Sequence, residues 1–463
     1  MNLVDRLKQV DGISVLTEKE DMVPYKRDAS YFTGETPDAV VIPENPAGVS
    51  EVMKICNELK VHVTVRSGGT SLTGASVPAE GGVVISMARM NRVLEVKPSD
   101  SYVIAEPGVR LDDLNRVLGK AGFFYPPDPA SSMAATVGGT ISTNAGGLRA
   151  ATYGTTKEWI LGLQVVMPTG EIIETGGLTL KRSKGYDLTA LMAGSEGTLG
   201  IITRAVLKIW PLPEATGRIM AYFTEIAPAG SAIAELKSKG IVPYIAEFLD
   251  RLSLDSIRTA RGIQFPEEAN YLLLVDVAST NESLHRVLEL AAGIIRTFNP
   301  LSLVTTTDRE EMDRMYEARK GLYSSSLIQR DTPGEYVVIA DVVVPASGLP
   351  ETLEGIRAAA AEFRLKVVLF GHIGDGNIHA NIFADLSVED IRKNVDGFQM
   401  SIARIAVAHG GSVSAEHGIG LEKKELLRME LEERKSSYDL DMMRRIKSVF
   451  DPNNILNRGK IFD

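Results

Sequence analysis

The chain has 463 residues, which is enough for two large domains or about three of average size, and 44% of them are hydrophobic against 24% charged. This composition is that of a folded globular protein and excludes a disordered or low-complexity chain. The formal net charge is −10, and nucleic-acid binding needs a basic face, so we expect no nucleic-acid partner. Cys56 is the single cysteine, which excludes an internal disulfide and an iron–sulfur cluster held by cysteines of this chain alone.

The apolar segments are too short to cross a membrane. The longest, Tyr271–Ala278 and Val337–Val344, are both interrupted by Asp, whereas a spanning helix needs about 18 or more apolar residues. The N-terminal segment mixes charges of both signs into a helical pattern, which is neither a signal-peptide core nor an Arg-rich transit sequence. We therefore expect no membrane span and a cytoplasmic location.

Before Pro213 the sequence alternates short β-branched runs with helical patterns, which is typical of α/β and α+β folds. The runs AVVIP, HVTVR, GGVVIS and SYVIAEPG predict strands, and helical spacing predicts helices from Ala47 to Leu59 and from Leu111 to Gly122. A long segment from Tyr125 to Thr156, rich in small residues and Pro, has no ordinary periodicity, which favours a functional role. WILGLQVVMPTGEIIETGG predicts a hairpin, and LTALMAGSEGTLGIITRAVLKIW predicts a short helix, a glycine-rich loop and a strand.

The run PLPE at Pro211–Glu214 marks a predicted domain boundary. After it, the pattern predicts the element order of an antiparallel sheet with helices on one face. The predicted elements are strands near Arg218–Thr224, Tyr244–Leu249, Tyr271–Val277 and Tyr336–Val344 and helices near Pro228–Lys239, near Glu282–Phe298 and from Asp308. From about Ser387 the tail is predicted to be largely helical. We expect domains at residues 1–213, 214–415 and 416–463.

Three glycine clusters lie in the first half of the chain: RSGGTSLTG (Arg66–Gly74), TVGGTISTNAGG (Thr136–Gly147) and GSEGTLG (Gly194–Gly200). Backbone N–H groups and hydroxyls of such loops can converge on anionic oxygens, and Arg66 adds a positive charge. Their spacing matches neither the Rossmann nor the P-loop fingerprint. One cluster alone is most simply an ordinary turn, but three of them, with PPDPAS beside the second, predict a large phosphate-bearing cofactor.

Four of the six histidines lie in the last fifth of the chain. In VVLFGHIGDGNIHANIF, a two-residue turn at Asp375–Gly376 would place His372 opposite His379, with Cβ atoms about 4.5–5.5 Å apart. Two imidazoles at that distance can share a metal ion, and Asn381 would lie on the same face. Glu416 in VSAEHGIG is the best candidate for a third ligand. The alternative is that the two histidines form only a cross-strand aromatic pair.

The motifs RSGGTSLTG, PPDPASSMAATVGGTISTNAGG with the YGTT that follows it, GSEGTLGIIT and DPNNILNRGKIF together resemble the flavoproteins of the vanillyl-alcohol oxidase superfamily. The nearest branch is that of the D-lactate, glycolate and D-2-hydroxyglutarate dehydrogenases, and the similarity runs from about Pro43 to the C-terminus. It implies an α+β fold with a two-subdomain FAD-binding domain, an antiparallel-sheet substrate (cap) domain and a C-terminal helical segment that returns to the FAD domain. It also implies non-covalent FAD, since Thr70 stands where many covalent members carry a His.

The resemblance further implies that the pyrophosphate and flavin of FAD contact the glycine-rich segments and the closing motif. The residues expected to bind FAD are Arg66, Ser67, Gly68, Gly69, Thr70, Gly74, Pro126, Asp128, Gly138, Gly139, Ser142, Asn144, Gly147, Tyr153, Gly154, Glu196, Gly197, Gly200, Ile201 and Asn457.

In the same family, the motif GHxGDGNxH supplies two metal ligands and the motif EHGIG a third together with the catalytic base. By resemblance, His372, His379 and Glu416 are expected to bind a divalent metal, which is Zn²⁺, Fe²⁺ or Mn²⁺ because two imidazoles and a carboxylate suit each of them. His417 is expected to be the base. The other three histidines, at positions 62, 285 and 409, are expected to be structural, the last at a helix C-terminus.

Arg319, in MYEARKGLYSS, lies on a predicted helix whose charges would ordinarily form a solvated face. The family places a substrate-carboxylate arginine at this point, and the fork of an arginine fits a carboxylate better than Lys320 would. The resemblance therefore implies that Arg319 binds the substrate carboxylate, and we expect Asn381 to contact the substrate as well.

The expected reaction is the oxidation of a D-2-hydroxy acid by hydride transfer to flavin N5, with electrons passing to an electron-transferring flavoprotein, an iron–sulfur subunit or quinone. The 2-hydroxyglutarate enzymes carry a lysine on the strand that matches Val337–Pro345, where this chain has no basic residue, and this difference favours D-lactate or glycolate over D-2-hydroxyglutarate. Two other functions stay open: a metal-dependent hydrolase, and a non-catalytic flavin subunit that relays electrons within a complex.

Overall fold

The structure is a computed structural model and describes residues 2–463. The chain forms two compact units. Unit 1 comprises the residues up to Gly146, Thr155–Leu212 and Glu416–Asp463, and unit 2 comprises Gly147–Gly154 and Pro213–Ala415. Within residues 2–463 no helix combines the length and the apolar character that crossing a bilayer requires.

The chain up to Leu212 contains short strands and helices in alternation. The strands are β1 (Ile13–Leu16), β2 (Ala39–Pro43), β3 (Val63–Arg66), β4 (Val83–Ser86), β5 (Val93–Lys97), β6 (Tyr102–Ala105), β7 (Phe123–Phe124), β8 (Ile160–Val166), β9 (Ile172–Gly176), β10 (Ile201–Lys208) and β11 (Trp210–Pro211). The helices are α1 (Leu3–Leu7), α2 (Lys19–Met22), α3 (Pro46–Leu59), α4 (Leu111–Gly119), α5 (Val137–Thr143), α6 (Ala150–Tyr153) and α7 (Leu188–Met192), of which α6 belongs to unit 2.

Two sheets form the framework of unit 1. Over the described residues, one has four strands in the order β1-β2-β4-β3, with β4 parallel to both neighbours, and the other has five antiparallel strands in the order β5-β6-β10-β8-β9. The pairing of β8 with β9 is the predicted hairpin. Two sheets agree with the two-subdomain architecture expected of an FAD-binding domain, and the predicted fold class is confirmed.

Helix α3 shows how the sequence builds unit 1. Asn45 caps its N-terminus by accepting a hydrogen bond from Gly48 N at 2.9 Å, and Pro46 occupies the first turn, where a missing N–H is harmless. Its apolar face, including Val52 and Met53, is fully buried in the core that β2 and β4 also line. Cys56 lies on the same face, where burial raises the pKa of its thiol to about 12, so this cysteine fills space and is unreactive.

Helix α4 differs from its prediction at the C-terminus. It ends at Gly119 rather than Gly122. Ala121 N and Gly122 N donate to carbonyls three residues back, and Gly122 adopts φ +77°, so a turn with a left-handed glycine replaces the last helical turn.

Unit 2 is built on one antiparallel sheet. Its strands are β12 (Ala215–Phe223), β13 (Ile245–Asp250), β14 (Tyr271–Ser279), β15 (Ser302–Thr306), β16 (Tyr336–Val343), β17 (Lys366–Gly371) and β18 (Asn377–Ala384). Its helices after Pro213 are α8 (Ala227–Ser238), α9 (Arg251–Arg261), α10 (Leu284–Arg296), α11 (Arg309–Lys320), α12 (Leu322–Ser326), α13 (Leu349–Glu362) and α14 (Glu389–Ala408). In the described chain the strand order is β15-β12-β14-β13-β17-β18-β16, which brings β13, β17, β18 and β16 side by side.

The C-terminal residues of the chain return to unit 1 as α15 (Lys424–Glu433) and α16 (Ser437–Phe450), so the tail is largely helical as predicted. The loop that contains Glu416 and His417 precedes α15.

Strands β12 and β14 carry a buried ion pair between directly opposed residues, Arg218 and Asp276. Nε and Nη2 of Arg218 lie 2.6 Å from the two carboxylate oxygens, and both side chains are almost fully buried. Burial raises the pKa of Asp276, and the guanidinium opposes that rise. Each charge is therefore tolerated in the sheet only because the other is present.

We expect Arg218→Met to lower the free energy of unfolding by about 3–5 kcal/mol, because the carboxylate of Asp276 would stay buried without its counter-charge. Denaturant unfolding would measure the loss. Arg309→Met is the matched control, since Arg309 is exposed and 3.9 Å from Asp313, and it should change stability by less than about 0.5 kcal/mol. A loss below about 1 kcal/mol in Arg218→Met would contradict this account.

Candidate functional site

The first two glycine-rich segments lie against each other in unit 1. Thr136 Oγ1 donates a hydrogen bond to Ser67 Oγ at 2.6 Å and accepts one from Gly68 N at 3.1 Å. A Cβ atom at Gly68 would lie only 2.4 Å from Ala134 O, so this close approach requires a glycine. The first segment therefore rests directly on the residues that precede α5.

The third segment lies against the second. Gly194 N donates to Ile141 O at 3.0 Å, and Glu196 N donates to Ser142 O at 2.7 Å. The parts of the three segments that belong to unit 1, which are all of them except Gly147, thus converge there, as a single large anionic cofactor would require.

The side chain of Arg66 lies over the first glycine segment. Gly69 adopts φ +66°, a backbone conformation that favours glycine, and a Cβ atom there would lie 2.3 Å from Arg66 Nη2, so the guanidinium lies close over this residue. Arg66 Nη1 donates to Arg27 O at 2.5 Å, and burial lowers the pKa of the guanidinium. A cation over glycine backbone fits a phosphate-bearing cofactor such as FAD.

Asn457 in the closing motif joins the first and third segments. Its amide nitrogen donates to Glu196 O at 2.6 Å and to Ala75 O at 3.2 Å, and its amide oxygen accepts from Val65 N at 3.3 Å. Asn457 therefore holds the backbone of these segments together.

Lys447 and Asp451 form a buried polar centre that the sequence analysis did not identify. Lys447 Nζ donates to the carboxylate of Asp451 and, at 2.8 Å in each case, to Thr198 O and Leu456 O. Asp451 also accepts from Leu456 N at 2.8 Å and from Ile455 N at 3.1 Å. This pair attaches α16 to the third glycine segment. The sequence signal was available, since Lys and Asp four residues apart face the same side of a helix.

The remaining residues expected to bind FAD lie in both units. Pro126 and Asp128 follow β7 and are buried, and Gly200 and Ile201 lie at the start of β10, all four in unit 1. Gly147, Tyr153 and Gly154 belong to unit 2. There the ring of Tyr153 packs edge-on against Tyr244 at 6.0 Å between centroids, and burial raises the pKa of Tyr153 to about 12.

Glu196 holds the loop that follows His417. Its Oε1 accepts from Ile419 N at 2.7 Å, and its Oε2 accepts from Gly420 N at 2.8 Å. A Cβ atom at Gly418 would lie 2.8 Å from Oε1, so the loop passes very close to the carboxylate. Thr73 Oγ1 adds a bond at 3.3 Å to His417 O. Unit 1 thus fixes the backbone of His417 and of the residues after it.

Burial raises the pKa of Glu196 from 4.5 to about 7. Between these values the unfolded chain loses the Glu196 proton while the folded protein keeps it, so the contribution of this group to the free energy of unfolding falls as the pH rises, by about 3 kcal/mol in total. Glu196→Gln does not titrate and lacks this contribution. We expect urea unfolding to show the wild type losing about 3 kcal/mol relative to the variant between about pH 4.5 and pH 7. A difference that is independent of pH would contradict the expectation.

The predicted register of the β17–β18 hairpin is wrong by two residues. Phe370, not His372, stands opposite His379. The turn is longer than two residues, since His372 O accepts N–H groups from Asp375, Gly376 and Asn377. A shift of two residues leaves side chains on the same face, because the side-chain period of a strand is two. His372 and His379 still meet as diagonal neighbours, with ring centroids 5.1 Å apart and perpendicular planes.

A buried carboxylate on the neighbouring strand contacts both His372 and Arg319. Glu247, on β13, is completely buried, and its Oε1 lies 2.6 Å from His372 Nδ1. Arg319 Nε donates to Oε2 at 2.6 Å, and Arg319 Nη2 lies 2.5 Å from the same oxygen. Arg319 is therefore buried rather than part of a solvated helix face, and its guanidinium stacks 4.7 Å from the ring of Phe370.

Glu247 was not predicted to be a site residue from the sequence. The signal was a carboxylate inside the apolar strand pattern YIAEFL, which is costly unless the charge is paired.

Asp341, on β16, stands opposite His379 and is also buried. Its Oδ1 lies 3.5 Å from His379 Nδ1 and accepts from Asn377 Nδ2 at 2.6 Å. Its Oδ2 accepts from Ala415 N at 3.0 Å. Ala415 directly precedes Glu416 in the chain, so this bond fixes the backbone one residue before the third predicted ligand.

Asn381 lies two residues beyond His379 on β18 and is completely buried. Neither polar atom of its amide has a hydrogen-bond partner among the described residues. An unsatisfied buried amide is costly and calls for a ligand or water, which supports the prediction that Asn381 contacts a bound molecule.

The other three histidines belong to other elements. His409 follows the last residue of α14, with Nδ1 2.9 Å from Ile405 O, as expected of a residue at a helix C-terminus. His62 directly precedes β3, and His285 is exposed on α10.

Two family models match the chain. Residues 212–461 match the model described as "FAD linked oxidases, C-terminal domain", and residues 37–176 match "FAD binding domain". Among curated proteins, the chain is 36% identical to the glycolate oxidase subunit GlcD of Bacillus subtilis, over 95% of this chain and 92% of that protein. It is 33% identical to the D-lactate dehydrogenase of Anaerostipes hadrus, over 99% and 97% of the two chains.

Solved structures share the fold at low sequence identity. p-Cresol methylhydroxylase with bound substrate superposes with a TM-score of 0.80 at 18% identity, covering 100% of this chain and 96% of that one. Alkyldihydroxyacetonephosphate synthase superposes with a TM-score of 0.73 at 20% identity, covering 98% and 85%. The converging glycine segments, the two matching family models and this fold agree. The chain belongs to the FAD-linked oxidases and is an FAD-dependent oxidoreductase with the fold of the vanillyl-alcohol oxidase superfamily.

Proposed function

We propose that this protein oxidises a small D-2-hydroxy acid, D-lactate or glycolate, to the corresponding 2-oxo acid. The observation that carries the proposal is the buried amide of Asn381, whose polar atoms have no partner among the described residues, on the strand that also carries His379. Such a group suits a small polar substrate that completes its hydrogen bonds. Relatives named D-lactate dehydrogenase and glycolate oxidase subunit support this substrate class.

The proposed metal ligands are His372, His379 and Glu416. One ring nitrogen of each histidine lies within 4.8 Å of the other, and Nδ1 of His372 faces Glu247, as in metal sites where a carboxylate orients the ligating imidazole. Two imidazoles and a carboxylate suit Zn²⁺, Fe²⁺ or Mn²⁺. When bound, the metal would supply a Lewis acid for the substrate oxygens, and FAD would supply the hydride acceptor.

In this proposal, His417 takes the proton of the substrate hydroxyl and Arg319 binds the substrate carboxylate. Oxidation removes one proton from the hydroxyl and one hydride from the α-carbon, and His417 is proposed to take the proton because histidine is the most frequent general base in enzymes. Arg319 is proposed to bind the carboxylate. Its contacts with Glu247 use Nε and Nη2, so the Nη1 edge of the fork is not committed to that carboxylate.

The preference for a monocarboxylate is supported by Asp341. The strand from Tyr336 to Val343 has no basic residue and carries this buried carboxylate beside His379. A second substrate carboxylate at this point would meet a like charge. D-2-hydroxyglutarate, which has two carboxylates, is therefore kept only as the alternative substrate.

Two electrons must leave the reduced flavin after each turnover. We propose that they pass to a separate acceptor, an electron-transferring flavoprotein or an iron–sulfur subunit. The word "subunit" in the name of the Bacillus subtilis relative supports a partner protein.

Anaerobic reduction of the flavin tests the proposed function. The purified protein, reconstituted with FAD, would be mixed without oxygen with D-lactate, L-lactate, glycolate or D-2-hydroxyglutarate, and bleaching of the flavin absorbance would be recorded. We expect bleaching by D-lactate or glycolate and none by L-lactate. Bleaching by D-2-hydroxyglutarate alone would identify the alternative substrate. A protein that binds FAD but is reduced by none of these acids would favour the electron-relay subunit.

A further inference from the structure

Glu247 contacts both a proposed metal ligand, His372, and the proposed substrate cation, Arg319. In the pairing of β13 with β17, Phe248 stands opposite Gly371, so continuing the register by one residue places Glu247 opposite His372. His372 is the first residue after β17, so the contact joins β13 to the residue at which the turn begins.

The contact with Arg319 determines the hydrogen-bonding role of the Glu247 carboxylate. Both contacts with Arg319 are made to its Oε2, and a guanidinium stays protonated in proteins. Arg319 has no acceptor, so Oε2 accepts both of these contacts. Oε1 lies 2.6 Å from His372 Nδ1, and a carboxylate oxygen there is the acceptor for an N–H on Nδ1. In the neutral imidazole with this N–H, the lone pair is on Nε2.

We propose that Glu247 is a positioning residue for the metal site: its carboxylate holds His372 in the tautomer that leaves Nε2 for the metal, and it ties this histidine to Arg319. The proposal rests on the function proposed above. In this role Glu247 affects both His372 and Arg319, since any movement of Glu247 would shift the proposed metal ligand and the proposed carboxylate-binding cation together.

The variant Glu247→Gln tests this role. A glutamine has one oxygen and one amide nitrogen in place of two oxygens, and the oxygen is expected to turn to the charged Arg319. The amide nitrogen would then face His372 Nδ1 and favour the tautomer with the proton on Nε2. A protonated Nε2 has no lone pair and cannot bind a metal. We expect the affinity for the metal to fall by about 10- to 100-fold, as is typical when the partner of a metal-bound histidine is lost.

The measurement is the dissociation constant for Zn²⁺, and separately for Mn²⁺, of the FAD-loaded protein without substrate, by competition with a fluorescent chelator. Asp250→Asn is the matched control. Asp250 is a buried carboxylate on the same strand, but it accepts from Leu369 N and Ser253 N and pairs with Arg357. This variant should lose stability while its metal affinity stays within about threefold of the wild type.

A double variant separates positioning from general damage to the sheet. In a His372→Ala background, Glu247→Gln should weaken metal binding by no more than about twofold further, because its effect passes through the missing imidazole. A further loss as large as in the wild-type background would overturn the proposal. If Glu247→Gln does not fold, Glu247→Asp takes its place. Its shorter side chain cannot reach both partners, and we expect at least about fivefold weaker metal binding.

The outcomes distinguish this proposal from the proposed function. Equal metal affinity in the wild type and in Glu247→Gln would overturn the role of Glu247 and leave the oxidation of hydroxy acids untouched. If the wild type binds neither Zn²⁺ nor Mn²⁺, the metal site is wrong and the role of Glu247 falls with it. Flavin reduction by D-lactate or glycolate would still be decided by the bleaching experiment.

Discussion

Removal of the proposed divalent metal is expected to lower the rate of flavin reduction by a D-2-hydroxy acid by about 10²- to 10⁴-fold. A Lewis acid on the substrate oxygens stabilises the charge that develops on them by several kcal/mol, and each 1.36 kcal/mol changes the rate about tenfold. Dialysis against a chelator removes the ion, and His379→Ala removes one proposed ligand. Stopped-flow recording of the flavin absorbance would measure both effects.

The chelated wild type should recover when Zn²⁺, Mn²⁺ or Fe²⁺ is added back, and the ion that restores the rate most fully identifies the natural metal. His379→Ala should not recover at the same concentration. His285→Ala is the control, because this histidine is exposed on α10. If the chelated protein, verified to be free of metal, reduces its flavin at the wild-type rate, the metal has no part in the reaction.

His417→Gln is expected to lower the rate of flavin reduction by about 10²- to 10⁴-fold at saturating substrate, the range typical for the loss of a general base. A glutamine keeps a polar side chain of similar size but cannot take a proton. The backbone of His417 is held through Thr73, and that of the following residues through Glu196. The loop should therefore keep its conformation in the variant.

Two controls accompany this variant. FAD content and the dissociation constant for Zn²⁺ should match the wild type within about threefold, which would show that the loss lies in the chemical step. His285→Gln should retain full activity. Undiminished flavin reduction in His417→Gln would exclude this residue as the base.

Local sequence patterns predicted much of unit 1 and the family of the chain. Helix α3 and the β8–β9 hairpin follow from hydrophobic periodicity and from Gly and Pro at their ends. The three glycine-rich segments were recognisable because each needs small residues for close backbone approach, as at Gly68. Their combination was specific enough to identify the family.

For the histidine pair, the local sequence predicted the shared face of the strands but not the register. Side-chain alternation placed His372 and His379 on one face, and this survived the error in register, because a shift by two residues preserves the face. The register itself depends on the length of the turn. In this turn three successive N–H groups bond to His372 O, and no two-residue turn rule predicts such an arrangement.

The partners of the buried charges were decided only by the tertiary structure. Asp276 and Asp341 appeared in the sequence as interruptions of apolar runs and served to exclude membrane spans, and Glu247 passed unnoticed in a third run. The sequence by itself determined that these strands carry a charge, and hence that each charge needs a partner if the strand is buried. Which partner it finds depends on the strand order β15-β12-β14-β13-β17-β18-β16. That order brings residues distant in the chain, such as Glu247 and His372, next to each other. The strand order follows from how the whole sheet packs, and the periodicity along one strand carries no information about it.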